Sequence, residues 1–194
     1  MATVERVCLY CGSSAGIDPL YRDAASELGR SLARERIELI YGGGRVGLMG
    51  ICADAAMRAG GRVTGIIPRH LHDIEVGHHG LSELLVVENM HERKRMMFER
   101  SDAFLILPGG LGTLDETFEI MTWRQLRLHD KPIVVLDIGG YWAPFQALVE
   151  HVVAKGFAGL GALSLYKVAG SVEEALDILE LAREPVIADA PNLV

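Results

Sequence analysis

The stretch Phe104-Leu105-Ile106-Leu107-Pro108-Gly109-Gly110-Leu111-Gly112-Thr113-Leu114-Asp115-Glu116 constrains the chain most. Ala103 to Leu107 is a short apolar run, the mark of a strand covered on both faces. Pro108 stops it. Gly109, Gly110 and Gly112 then allow backbone to come close to a neighbour or a ligand where a Cβ would intrude. Thr113 reads as the start of a helix, and Glu116 follows three residues later, the spacing of a capping box. A glycine turn that opens a helix gathers free N–H groups and the positive end of the helix dipole at one point, which suits a phosphate. A capped turn without a ligand is the plainer alternative.

The rest of the chain repeats this plan. Val7 to Tyr10 reads as a strand ending in Cys11-Gly12-Ser13-Ser14, and Asp18-Pro19 opens a helix with apolar residues at Leu20, Ala24, Leu28 and Leu32. Ile37 to Tyr41 is a second strand, followed by Gly42-Gly43-Gly44-Arg45-Val46-Gly47. Gly42, Gly44 and Gly47 match G-x-G-x-x-G, but the acidic residue expected at the end of the next strand, Val63 to Ile67, is missing, since Pro68-Arg69 stand there. These glycines either pack helix against sheet or touch a ligand smaller than a dinucleotide; Gly43 and Gly44 are the candidates for contact. Pro68 to Ser82 reads as an irregular connection with four histidines. Leu84 to Val87, Ile133 to Leu136 and Leu165 to Val168 are further strands. The central helix runs to about Leu128 and another spans Tyr141 to Ala154. Ser171 and Glu174 form a capping box for the last helix, and Pro185 onward is a tail.

About seven strands alternating with helices imply one α/β domain over residues 1–194, with a mostly parallel sheet covered on both faces. Ligands bind such sheets beyond the carboxyl ends of the strands. The turns at Gly12, Gly42 to Gly44 and Gly109 to Gly112 all fall on that edge, with Ser13 among them.

Charge and cysteine content narrow the functions. A net charge of −7 leaves no basic excess for a nucleic-acid polymer. No apolar run reaches the roughly 20 residues of a membrane span, and the N-terminus lacks a signal-peptide pattern. Three cysteines without a disulfide framework fit a reducing cytoplasm. Cys8 and Cys11 lie inside a strand without a second pair, and the histidines between His70 and His79 lack helical ligand spacing, so no metal is expected.

Met90-His91-Glu92-Arg93-Lys94-Arg95-Met96-Met97 supplies the cations. If helical, Met90, Arg93, Lys94 and Met97 share one face, which suits an anion with a flat apolar part; a solvated charge run, with Glu92 and Glu99 nearby, is the equal alternative. A nucleoside 5′-monophosphate fits these elements. Its phosphate would take N–H bonds from the turn between Gly109 and Thr113, and Glu116, ionised near a helix N-terminus, would face the sugar. A carboxylate there stabilises an oxocarbenium-like transition state or orients water. Two roles are open to Arg93: charge for the phosphate, or orientation of base or sugar.

Pro108 to Glu116 resembles the PGGxGTxxE signature of the LOG family, the cytokinin-activating phosphoribohydrolases, and Met90-His91-Glu92-Arg93-Lys94 resembles its companion M-x-x-R-K element. Cys11 to Ser14, Tyr41 to Gly44 and Gly65 to Pro68 are also similar to family segments, so the resemblance runs from about Val7 to Val168. It implies a Rossmann-like fold, a dimer or larger assembly, no cofactor, and hydrolysis of the N-glycosidic bond of an N6-modified AMP or AMP itself. It implies Arg93 and Glu116 as the catalytic pair. It places Glu75, Lys94, Thr122 and the turn residues Gly109, Gly110, Gly112, Thr113, Leu114 and Asp115 at the substrate. The segment from His70 to Gly80 departs most from the family. Thr122 lies about 240° round the helix from Glu116, so it should face a partner subunit's site or an interface instead.

Two competing readings follow. Family members were long labelled lysine decarboxylases, chemistry that needs a pyridoxal-bearing lysine; of four lysines only Lys94 lies near the proposed site. A nucleotide or molybdenum-cofactor carrier on the same fold would keep the glycine turns but have no use for both Arg93 and Glu116.

Overall fold

The computed structural model describes residues 4–75, 78 and 80–182, without the side chains of 73–75. The seven strands are β1 (Arg6–Tyr10), β2 (Glu38–Tyr41), β3 (Val63–Pro68), β4 (Glu83–Val87), β5 (Ala103–Ile106), β6 (Ile133–Leu136) and β7 (Lys167–Ala169). They form one sheet in the order β4-β3-β2-β1-β5-β6-β7, and each neighbouring pair is parallel. The helices are α1 (Pro19–Arg34), α2 (Gly47–Arg58), α3 (Arg69–Glu75), α4 (Met90–Glu99), α5 (Leu111–Gln125), α6 (Ala143–Ala154) and α7 (Val172–Leu181). This is a Rossmann-like α/β fold. Among the described residues no helix is long and apolar enough to cross a membrane.

The sheet is covered on both sides, and strand alternation decides what each side receives. Val7, Leu9, Leu39 and Leu105 pack against Leu28 and Leu32 of α1, Cys52 of α2 and Leu179 of α7. Cys8, Ile40, Phe104 and Ile106 pack against Met97 of α4, Ile120 of α5 and Phe145 of α6. Cys8 and Cys11 therefore enter opposite layers. Their thiols are free, and burial pushes both pKa values up, the opposite of a reactive thiol.

Helix starts divide into two groups. Asp18 caps α1 through Leu20 N–H at 2.8 Å, Asn89 caps α4 through Glu92 N–H at 2.9 Å, and Ser171 caps α7 through Glu174 N–H at 3.1 Å. Helices α2 and α5 have no side-chain cap. The capping box expected at Thr113 and Glu116 is absent: α5 starts at Leu111 with Gly110 as its N-cap, so both residues lie inside the helix. The connection expected to be irregular from Pro68 is also ordered at its start, because Pro68 ends β3 and α3 follows at once. Glu75 is the last residue of α3, but its side chain lies outside the described residues, as do His79 and the tail.

Leu105 is completely buried in β5, between β1 and β6. Leu105→Ala should therefore cost about 2–5 kcal/mol, read as a lower urea midpoint with an unchanged m-value.

Candidate active site

The strand order reverses between β1 and β5: the chain runs outward from β1 to β4, then returns to place β5 on the other side of β1. A crevice opens beyond the carboxyl ends at such a reversal. Here Leu107 N–H donates to Tyr10 O and Gly12 N–H to Pro108 O, both at 3.0 Å, so the two turns are tied together at its floor. A cavity of about 330 Å³ lies above them. It is walled by the turn after β1, by Gly42 after β2, by α4 and by the uncapped start of α5. A larger cavity of about 440 Å³ lies between α1 and α7, but it gathers Glu27, Glu35, Glu173, Asp177 and Glu180 around Arg34 and is hostile to an anion.

Two glycines are required by close approach. A Cβ on Gly42 would fall on the Arg93 guanidinium, and one on Gly109 would fall on the Thr113 hydroxyl. Arg93 comes from α4 and is buried. Its Nη1 stands 3.6 Å from Met90 Sδ and its Nη2 3.8 Å from Glu116 Oε1, while its Nε has no partner. Glu116 projects from the second turn of α5 and is also buried. The expectation of an easily ionised carboxylate fails here. Glu116 lies past the first turn, where the helix dipole has faded. Burial pushes its pKa up to about 7, with Arg93 pulling it back and Asp115 pushing it further. At neutral pH the carboxyl is thus poised between two protonation states, as suits a group that accepts and returns a proton.

Of the residues singled out in the sequence, Ser13, Met90, Arg93, Gly110, Gly112, Thr113, Asp115 and Glu116 line this one cavity. Gly109 lies just behind it, against Thr113. Other candidates stand apart. Lys94 is bound to Asp115 Oδ2 at 3.1 Å and Glu119 Oε1 at 3.0 Å. Gly43, at φ 75°, has Ile67 of β3 where a Cβ would stand, and it is outside the lining. Gly44 is buried and outside the lining, and Leu114 packs with the core between α4, α5 and α6. Thr122 faces a different cavity, as its helical angle predicts. Met49 of α2, with Cys11 and Ser14, also walls the site. Met49 escaped the sequence reading because a lone methionine in an apolar helix looks like core.

Fold and site define a parallel α/β protein that offers backbone donors to an anion beside a buried Arg–Glu pair. Residues 49–179 match the family model described as "Possible lysine decarboxylase". The chain is 44% identical over 175 residues to the cytokinin riboside 5′-monophosphate phosphoribohydrolase of Rhodococcoides fascians, covering 90% of this chain and 88% of that protein. It is 42% identical over 182 residues to LOG5, the enzyme of that name from Arabidopsis thaliana, covering 94% and 79%. Among solved structures, the molybdenum cofactor binding protein of Rippkaea orientalis shares the fold with a TM-score of 0.70 at 20% identity, over 94% of this chain and 98% of that one. The chain belongs to the LOG family of cytokinin riboside 5′-monophosphate phosphoribohydrolases.

Carboxyl-selective ¹³C NMR on glutamate-labelled protein should show Glu116 titrating near 7 and identify it by loss of that signal in Glu116→Gln. Arg93→Ala removes the neighbouring cation and should move the midpoint higher. A midpoint in the ordinary range near 4–5 would contradict the electrostatic account.

Proposed function

We propose that the protein is a phosphoribohydrolase. It cleaves the N-glycosidic bond of cytokinin riboside 5′-monophosphates, AMP or both, releasing the free base and ribose 5-phosphate. The observation that carries this is the buried Arg93–Glu116 pair on the same cavity as the uncapped start of α5. A carrier needs the anion grip but gains nothing from a poised carboxylate.

The phosphate takes the free amides from Gly110 to Thr113, where the helix dipole adds positive potential. With the phosphate fixed there, the sugar falls towards Glu116. As the bond from C1′ to the base nitrogen breaks, positive character develops at C1′, and the ionised Glu116 stabilises it and orients a water. The water oxygen bonds to C1′ as the bond to the base nitrogen breaks; the water proton passes to Glu116, which returns it to that nitrogen, so the neutral base leaves and the carboxylate is restored. Arg93 pulls Glu116 towards its charged form against the effect of burial and lies within reach of base or sugar. Glu75 remains a substrate-contact candidate by family resemblance.

Decarboxylase chemistry does not fit these residues. A lysine that carries pyridoxal phosphate must be able to lose its proton. Burial alone would favour that at Lys94, but Asp115 and Glu119 more than offset it and hold the ammonium above its ordinary pKa.

A homodimer in the cytoplasm completes the reading. Phe118, Thr122, Leu148 and Val152 border an apolar cavity of about 190 Å³ between α5 and α6. Leu148 is 50% exposed and Leu160, nearby in sequence on the following turn, is 79% exposed. Large apolar side chains left in water suit an interface, and a second copy seated here would touch the helix that carries Glu116.

Incubation with AMP and with isopentenyl-adenosine monophosphate, followed by assay of free base, tests the activity. Glu116→Gln should still bind nucleotide but lose at least about a thousandfold in turnover; wild-type rates in that variant would remove the mechanism. Leu148→Glu should convert a dimer to a monomer in analytical ultracentrifugation and depress turnover with it. A wild-type monomer with full activity would refute the assembly.

A further inference from the structure

Tyr141 belongs to none of the motifs above and does not line the cavity. It sits beyond the carboxyl end of β6, the strand next to β5. The turn that delivers it is closely specified. Gly139 and Gly140 carry the chain at φ 62° and 75°, a region that side chains disfavour. Asp137 accepts from Trp142 N–H at 2.6 Å and from Gln146 Nε2 at 3.2 Å, which fixes the start of α6. The Tyr141 ring lies edge-on to Tyr21 and to Trp142, with centroids 5.5 Å and 4.9 Å away. So held, its hydroxyl donates to the carbonyl of Gly109 at 2.7 Å.

That carbonyl shares one rigid unit with the amide of Gly110. In a trans peptide C=O and N–H point in opposite directions, so fixing one fixes the other. The unit joins two glycines, so no Cβ of its own restricts its rotation; the space beside Gly110 is open, while Gly109 stands against Thr113 and Gly12. Tyr141 approaches from outside the cavity, whereas Gly110 lines it. The amide of Gly110 therefore points inward only while the carbonyl of Gly109 points out to the tyrosine.

We propose that Tyr141 is a positioning residue for the phosphate: its hydroxyl locks the peptide between Gly109 and Gly110 so that the Gly110 N–H is presented to the anion. This rests on the reading of the glycine turn as the phosphate grip. The residue touches neither the sugar nor the base, so its effect is confined to the phosphorylated end of the ligand.

Tyr141→Phe keeps the ring contacts and removes only the hydroxyl. Calorimetric binding of ribose 5-phosphate and steady-state hydrolysis of AMP test the idea together. The Kd for ribose 5-phosphate and the KM for AMP should both rise about tenfold, the scale of one hydrogen bond to a charged group. Turnover at saturation should change less than about twofold and the thermal midpoint should hold, while free adenine binds as to wild type. Unchanged ribose 5-phosphate affinity in Tyr141→Phe, beside a wild type that binds and cleaves normally, would overturn this inference alone. A fall in kcat with KM unchanged, or an equal loss of adenine binding, would also overturn it. A wild type with no affinity for ribose 5-phosphate would overturn the phosphate grip and this inference with it.

Discussion

Arg93 and Glu116 are held together out of water, and their geometry is poor for a structural salt bridge. The nearest approach is 3.8 Å, too long for a hydrogen bond, and Arg93 Nε has no partner at all. Burying two such groups costs several kcal/mol unless good contacts offset it, and here they do not. The surrounding fold sustains the arrangement. Gly42 leaves room for the guanidinium, Asn89 caps the helix that carries it, and the core packing of Met97 and Ile120 anchors α4 and α5. An unsatisfied buried pair on the wall of a cavity is a site whose polar groups are completed by what enters it.

The linkage has a definite sign. Folding raises the pKa of Glu116 above its unfolded value, so the folded protein binds the extra proton between about 4.5 and 7. Its contribution to stability is fully present below that window and is lost as pH rises through it. The group therefore helps the fold least where its carboxyl is ionised.

Much of the architecture could be read from the sequence, because a buried parallel strand is a short apolar run and its turn is marked by glycine. Strands β1, β2, β5 and β6 announce themselves this way, as do the helix starts at Asp18 and Ser171. Helix α3 did not, since seven residues rich in histidine carry no apolar period. The start of α5 was displaced because Thr113 and Glu116 mimic a capping box, while the true cap, Gly110, bonds through no side chain. At the site, spacing on one helix brought Met90 and Arg93 together correctly. It could not tell that Lys94, one residue on, is taken by Asp115 and Glu119 on α5. Nor could it separate Gly42, which faces Arg93, from Gly43, which faces β3. Tyr141 was hidden more deeply, because its partner lies 32 residues away in the chain.

The two sides of the cavity differ in material. One is main chain, pinned by the hydrogen bonds between the turns after β1 and β5 and by the Tyr141 hydroxyl. The other carries the thioethers of Met49, Met90 and Met97, from α2 and α4. Methionine is unbranched and polarisable, and it changes contour at little expense. Exchanging side chains on that pliant wall can thus reshape the cavity directly, whereas the main-chain side changes only through the side chains that hold its peptides in place.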